Sequence, residues 1–266
     1  MELIGKHKKF IVLFLGALIA DSVLWLFVLF PAPAGEPELY FLDVGQGDSQ
    51  LIVFPSAGGR RVKMLMDGGP ANGALLRQLA QILPLQDRSI DLVLMTHPQL
   101  DHFGGFIDLL KTYRVGAFIG TGRKGTTKAY EELEREIARR GVVYVQVRAG
   151  DAITYGNSTF AIVSPDKQDI ADKELNESSL VVLFKTEKLR ALYTGDIGAK
   201  TEKKLAARTD LSAQVLKVPH HGSKFSSSQA FVSAVHPQAA VIGVGKNSYG
   251  HPTAQTLERL AGAGAE

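Results

Sequence analysis

The chain has 266 residues, no cysteine, and a formal charge of +3. Disulfides and thiolate metal sites are excluded, so any metal centre must be built from His, Asp and Glu. Glu2, Lys6, Lys8 and Lys9 account for +2 of the charge, leaving +1 for the rest, so net charge argues neither for nor against a nucleic-acid partner.

Residues 1–9 form a basic leader, and residues 10–30 are apolar except for Gly16, Asp21 and Ser22. At about 1.5 Å per residue such a helix spans ~30 Å of hydrocarbon, which predicts a transmembrane signal anchor. By the positive-inside rule the following domain is exported and remains membrane-anchored. Ala32-Pro33-Ala34 offers an A-x-A cleavage pattern, and with it the alternative of secretion after signal cleavage. Residues 31–37 read as a linker and 38–266 as one domain, within the size that a single core supports.

Short apolar runs bounded by Gly or Pro predict strands at Glu38–Leu42, Ser49–Pro55 and Val62–Met66. A helix over Asn72–Leu83, capped by Asn72, leads to a buried strand Ile90–Met95, a helix near Phe103–Tyr113 and a strand Val115–Ile119. Thr127–Arg140 is helical with Gly141 as its stop. The second half repeats this grammar with strands Val142–Val147, Asp151–Tyr155, Thr159–Ser164, Ser179–Lys185 and Leu189–Tyr193, then a helix Ala199–Arg208. Strand Ala213–Val218, helix Ser227–Val235, strand Ala239–Gly243 and a helix from Thr253 complete it. The pattern predicts an α/β architecture of two face-to-face sheets with helices outside. The basic clusters Arg60-Arg61-Lys63, Arg123-Lys124-Lys128 and Lys200-Lys203-Lys204 read as solvated faces.

The chemistry gathers where apolar strands end. Thr96-His97-Pro98-Gln99-Leu100-Asp101-His102-Phe103-Gly104-Gly105 puts two imidazoles and a carboxylate on one turn, ligand types that Zn²⁺ and Mn²⁺ accept. The two glycines are read as letting the chain pass close to the metal before a helix starts. Thr194-Gly195-Asp196 ends another strand on an acid, and Pro219-His220-His221-Gly222 ends a third on paired histidines, of which one is expected to face a metal. Asp43-Val44-Gly45-Gln46-Gly47-Asp48 is a glycine-rich turn able to present Asp48 into a cleft. Met66-Asp67-Gly68-Gly69 is a similar but weaker feature. Asn247-Ser248-Tyr249-Gly250-His251-Pro252 is a late loop with a candidate histidine, whereas His236, at a helix end before Pro237, reads as a cap.

Taken as a set and in this order, these segments resemble those of the metallo-β-lactamase superfamily, in particular the C-terminal hydrolase domain of ComEC-type DNA-uptake competence proteins. The resemblance runs from about Leu39 to Thr253 and implies a four-layer αβ/βα sandwich with the metal at the edge between the sheets. It implies metal ligands among His97, Asp101, His102, Asp196, His220 and His221, with Asp101 and His251 as catalytic groups. Gln46, Asp48, Gln99, Asn176, Lys217, Ser223 and Asn247 are assigned to substrate binding or to support of the ligands, and His251 or Lys217, with the metal, to offsetting charge on phosphoryl oxygens. Gln99 stands where the family motif has its second histidine, and no histidine lies between His102 and His220. Asn176 falls about where the usual middle ligand would. One ion, or two in unequal sites, follows, with Zn²⁺ and Mn²⁺ as candidates.

The implied activity is metal-dependent hydrolysis of phosphodiesters, a nuclease acting on single-stranded DNA beside an uptake channel. A hydrolase of a small ester, lactam or nucleotide would show a narrow closed pocket instead, and a non-catalytic DNA-uptake module would bind no metal. The resemblance also leads to the expectation of a further strand after Glu266, as in a fragment of a longer protein.

Overall fold

The computed structural model describes residues 35–55 and 61–266. The leader and the anchor helix expected at 10–30 lie outside the described residues, as does most of the linker. Among the described residues no helix is long and apolar enough to cross a membrane. The architecture below belongs to the unit formed by 38–53 and 63–266.

The first half runs β1 (Glu38–Phe41), β2 (Gln50–Phe54), β3 (Val62–Met66), α1 (Ala74–Ile82), β4 (Ser89–Leu94), α2 (Leu100–Thr112), β5 (Arg114–Gly120), α3 (Lys128–Arg139) and β6 (Val143–Gln146). These six strands lie side by side in sequence order. β1 and β2 pair antiparallel across a short connection, whereas β3 to β6 run parallel because a helix returns the chain between each pair. The second half runs β7 (Ala152–Tyr155), β8 (Ser158–Ser164), α4 (Lys167–Ile170), β9 (Val181–Lys185), β10 (Arg190–Tyr193), α5 (Ala199–Ala206), β11 (Val215–Lys217), α6 (Gln229–Val235), β12 (Ala239–Val241) and α7 (Ala254–Gly262). Its sheet is ordered β12-β11-β10-β9-β8-β7. Here β7 to β10 form an antiparallel meander, and β10 to β12 are parallel.

Side-chain alternation assigns the faces. Leu51, Leu65 and Val93 pack with Phe103, Phe106 and Leu109 of α2. In the second sheet Val181, Leu183, Leu192 and Leu216 pack with Phe231, Val232 and Val235 of α6. The alternate residues Ile52, Met64, Met66 and Leu94, and Ile162, Val182, Phe184 and Tyr193, are buried as well, so each sheet is covered on both faces. Tyr193 stacks 6.0 Å from Phe41 of the opposite sheet, and the Leu180 amide donates to the Thr96 carbonyl at 2.9 Å. Two sheets with helices on their outer faces make the expected layers.

Five local expectations are corrected. Helix α2 starts at Leu100 rather than Phe103, so Asp101 and His102 sit in its first turn. Gly104 and Gly105 therefore lie inside the helix; a Cβ on them would meet the Ala71 amide at 2.5 Å and the Gly68 carbonyl at 2.1 Å, so their role is to let α2 lie against the Gly68–Ala71 loop. His220 and His221 are on a 3-10 turn, Pro219–Gly222, and not on extended chain. Lys63 is buried on β3, ion-paired to Asp87 and 3.4 Å from Ser89 Oγ, and so is not part of a solvated face. Of the expected caps, His236 ends α6 in the left-handed conformation, whereas the N-cap of α1 is Gly73 rather than Asn72, whose side chain instead accepts from the Ala74 amide at 2.8 Å in the turn leading into the helix.

Asp87→Ala leaves the buried Lys63 ammonium without its partner. A loss of roughly 2 kcal/mol in urea-unfolding stability is expected, and Lys63→Met in the same background should recover part of it.

Candidate metal centre

Each predicted segment delivers its side chain from the end of a strand. β4 ends at Leu94; Thr96 and His97 follow, and the turn into α2 carries Asp101 and His102. β10 is followed by Asp196 and β11 by the His220-His221 turn, while the loop between β1 and β2 supplies Asp48.

Two imidazoles define the centre. His102 and His221 are buried, and both Nδ1 atoms are engaged: His102 Nδ1 lies 2.7 Å from Asp67 Oδ2, and His221 Nδ1 lies 2.6 Å from the Gly243 carbonyl. The Nε2 atoms are thereby turned inward, 3.3 and 3.2 Å from Asp196 Oδ2. Asp101 Oδ2 lies 3.3 Å from His221 Nε2. Both Nε2 atoms and Asp196 Oδ1 are buried without a hydrogen-bond partner. Ligands about 2.0–2.1 Å from a tetrahedral ion stand roughly 3.3 Å from one another, so these spacings fit a divalent cation. Asp48, His102, Asp196 and His221 also offer ligand atoms that all lie within 4.8 Å of one another. Asp48, however, faces the Nδ1 side, with its oxygens 3.8 Å from His102 Nδ1 and 3.7 Å from His221 Nδ1. It lies beneath the rings, and Asp101 lies on the Nε2 side.

The charges are interlocked. Burial opposes protonation of His102, but the charges of Asp196 and Asp67 override it and hold its pKa well above the ordinary range. His221 is raised to about 10 against burial by Asp196 and Asp48. Burial works to raise Asp196 and Asp101, yet the facing imidazoliums bring Asp196 well below the usual carboxylate range and Asp101 to about 2. Lys217 is buried, ion-paired to Asp48 and 3.6 Å from Asp196 Oδ1, and donates to the Gly195 carbonyl at 3.1 Å. Burial is again outweighed by Asp48 and Asp196, and its pKa rises.

The remaining predicted residues divide. His97 is fully buried, with its ring 4.2 Å from that of His102 and its Nε2 unpartnered; burial, reinforced by His102, drives its pKa down to about 4. Gln99 donates to Asn176 Oδ1 at 2.5 Å, and the Asn176 amide nitrogen lies 3.4 Å from the His220 ring nitrogens. His220 is thus turned towards the Gln99–Asn176 pair while His221 faces the carboxylates. A cleft of about 440 Å³ opens above the centre, lined by Gln46, Gln99, Asp101, Asn176, Asp196, His220, His221, Tyr249 and His251 among others. Asn247 does not line it; its side chain donates to the Gly245 and His251 carbonyls and accepts from the Tyr249 and His251 amides.

One expectation is corrected here. Lys217 is sealed beneath the centre by its pairing with Asp48 and does not line the cleft where a substrate phosphate would lie. Ser223 is buried just after the His220-His221 turn, and its Oγ accepts from the Phe225 amide at 3.3 Å. Sequence reasoning also passed over Asp67. It accepts from the Thr96 amide at 2.8 Å and the Thr96 hydroxyl at 2.7 Å as well as meeting His102. Its signal was the Asp-Gly-Gly strand end, the same grammar as the stronger motifs.

Fold and site together define an αβ/βα protein with a candidate His/Asp metal centre at one edge of paired sheets. The family model of the metallo-beta-lactamase superfamily matches residues 42–246, and the chain belongs to that superfamily. It is 29% identical over 259 residues to ComE operon protein 3 of Bacillus subtilis, covering 91% of this chain and 33% of the relative. It is 33% identical over 224 residues to Recombination protein 2 of Haemophilus influenzae, covering 82% of this chain and 26% of the relative. It is 28% identical over 235 residues to Competence protein ComA of Neisseria gonorrhoeae, covering 87% and 30%. The chain therefore spans only a quarter to a third of these relatives' length.

In protein freed of divalent cations by chelation, imidazole NMR should show His221 protonated through neutral pH and titrating near 10, with His97 neutral down to about 4. Because the folded pKa of His221 lies above the unfolded value of about 6.5, its contribution to stability is complete below that pH and is lost as the pH climbs towards 10.

Proposed function

We propose that the chain is a metal-dependent phosphodiesterase cutting single-stranded DNA in a competence-type DNA-uptake setting. The observation that carries this reading is the pair of inward-turned Nε2 atoms with Asp196 and Asp101 at the floor of an open cleft, supported by relatives whose names include competence and recombination proteins. In this reading His102, His221, Asp196 and Asp101 hold a Zn²⁺ or Mn²⁺ ion, Asp67 and the Gly243 carbonyl fix the two rings, and Asp48 with Lys217 balances charge beneath them. A bound divalent cation supplies Lewis acidity to a phosphoryl oxygen and acidifies water. Asp101, one-third exposed at the edge of the cluster, orients the attacking water from the cleft side. His251 lines the cleft with Nδ1 buried and unpartnered; burial lowers its pKa, so near neutral pH it acts as an uncharged hydrogen-bonding group toward a phosphoryl oxygen.

A second ion is disfavoured on chemistry. His97 offers one free Nε2, but Gln99 and Asn176 present amides, weak ligands for Zn²⁺, and these are engaged with each other. With residues 10–30 as a signal anchor, the domain stands on the far side of the membrane, where incoming DNA arrives.

Mn²⁺-dependent cutting of end-labelled single-stranded DNA should fall at least about 100-fold in Asp101→Ala, with the fold unchanged by circular dichroism. A wild-type chain that binds the ion and cuts no DNA would overturn the nuclease assignment. Asp67→Ala, which releases His102 Nδ1, should weaken Zn²⁺ binding about 10–100-fold in competition with a chelating dye.

A further inference from the structure

Among the exposed large hydrophobic side chains of the described residues, Tyr249 is 73% exposed, yet it lines the cleft that holds the centre. Solvent exposure of an aromatic ring is ordinary at a random surface position, but here the backbone that carries the ring is braced and the ring packs beside a histidine. Asn247 closes the Gly245–His251 loop on itself by accepting from the Tyr249 and His251 amides, at 3.0 and 3.1 Å, while donating to the Gly245 and His251 carbonyls at 2.9 and 2.8 Å. The Tyr249 ring leans on His251 at 5.7 Å and 31°. His251 in turn meets His220 edge-on at 5.7 Å, and His220 stands 6.3 Å from His221 at the centre. A row of rings therefore leads from the rim of the cleft to the carboxylates.

The walls of the cleft carry amides and imidazoles, and its carboxylates are Asp101 and Asp196. Such a surface can take a phosphate near the centre while leaving the attached heterocycle to find a partner of its own. An aromatic face presented at the rim from a braced loop is that partner, since every nucleobase presents a π-face and stacking is tolerant of sequence.

Resting on the phosphodiesterase reading above, we propose that Tyr249 is a nucleobase-stacking platform that receives the unpaired base next to the phosphate bound at the centre. It thereby selects single strands over duplex. A base in a duplex has both faces covered by its neighbours and cannot reach the ring without being unstacked.

The test is equilibrium binding of a fluorescein-labelled oligothymidine to the full chain in EDTA, by anisotropy, so that no cleavage is required. Tyr249→Ala should raise Kd roughly tenfold, Tyr249→Trp and Tyr249→Phe should retain wild-type affinity, and an otherwise identical strand of abasic residues should bind wild type and Tyr249→Ala alike. Because Tyr249 is exposed, the Ala variant should keep the wild-type melting temperature. Affinity unchanged in Tyr249→Ala, a loss in Tyr249→Phe equal to that in Tyr249→Ala, or no binding of single strands by wild type would overturn the platform. Binding that depends on Tyr249 in a chain that cuts no DNA with metal supplied would uphold the platform and remove the nuclease reading alone.

Discussion

The pinning of two Nδ1 atoms governs the rest of the site. Once Asp67 holds His102 and the Gly243 carbonyl holds His221, each imidazole has one nitrogen left, and both of these point at Asp196. Imidazoles free to rotate would present either nitrogen, and the pocket would hold no fixed donor set. The fold supplies both anchors from strand ends. Asp67 closes β3 in the first sheet, and Gly243 follows β12 in the second. The centre thus depends on the two halves of the sandwich being in register, through contacts such as Leu180 with Thr96 and Tyr193 with Phe41.

That arrangement is costly elsewhere in the chain. His220 and His221 both have positive φ, 51° and 54°, and Gly222 follows at 76°. Left-handed backbone at two non-glycine residues costs on the order of 1–3 kcal/mol each and persists only where the surroundings impose it. The result is that His221 turns to the carboxylates while its neighbour turns to Asn176. Gly243 is required for a related reason: a Cβ there would fall 2.1 Å from Asp48 Oδ1, breaking the layer beneath the rings. That layer holds buried carboxylates, and Lys217 is the cation that balances them.

Much of this was legible in the sequence because apolar runs ending in Asp or His are informative wherever they stand. The strands before Thr96, Asp196 and His220 were read from such runs, and the layered α/β class followed from their alternation with helices. What escaped depended on partners distant in sequence. Asp67 carried the same Asp-Gly-Gly grammar, but nothing local says that its carboxylate meets His102, 35 residues later. Burial of Lys63 is decided by Asp87, 24 residues on, and a basic pair beside it reads as surface. Lys217 read as a phosphate contact because its partner Asp48 lies on another strand end. The start of α2 was misplaced by three residues because Asp101 and His102 read as part of a metal-binding turn, whereas they stand in the first turn of the helix.

The most direct test of the account is anomalous X-ray diffraction at the Mn or Zn edge from crystals of the chain grown with that ion. The expected result is a peak between His102 Nε2, His221 Nε2, Asp196 and Asp101, with Asp67 and Gly243 still on the opposite nitrogens. A peak coordinated instead by Asp48 on the Nδ1 side, or none at saturating ion, would contradict it.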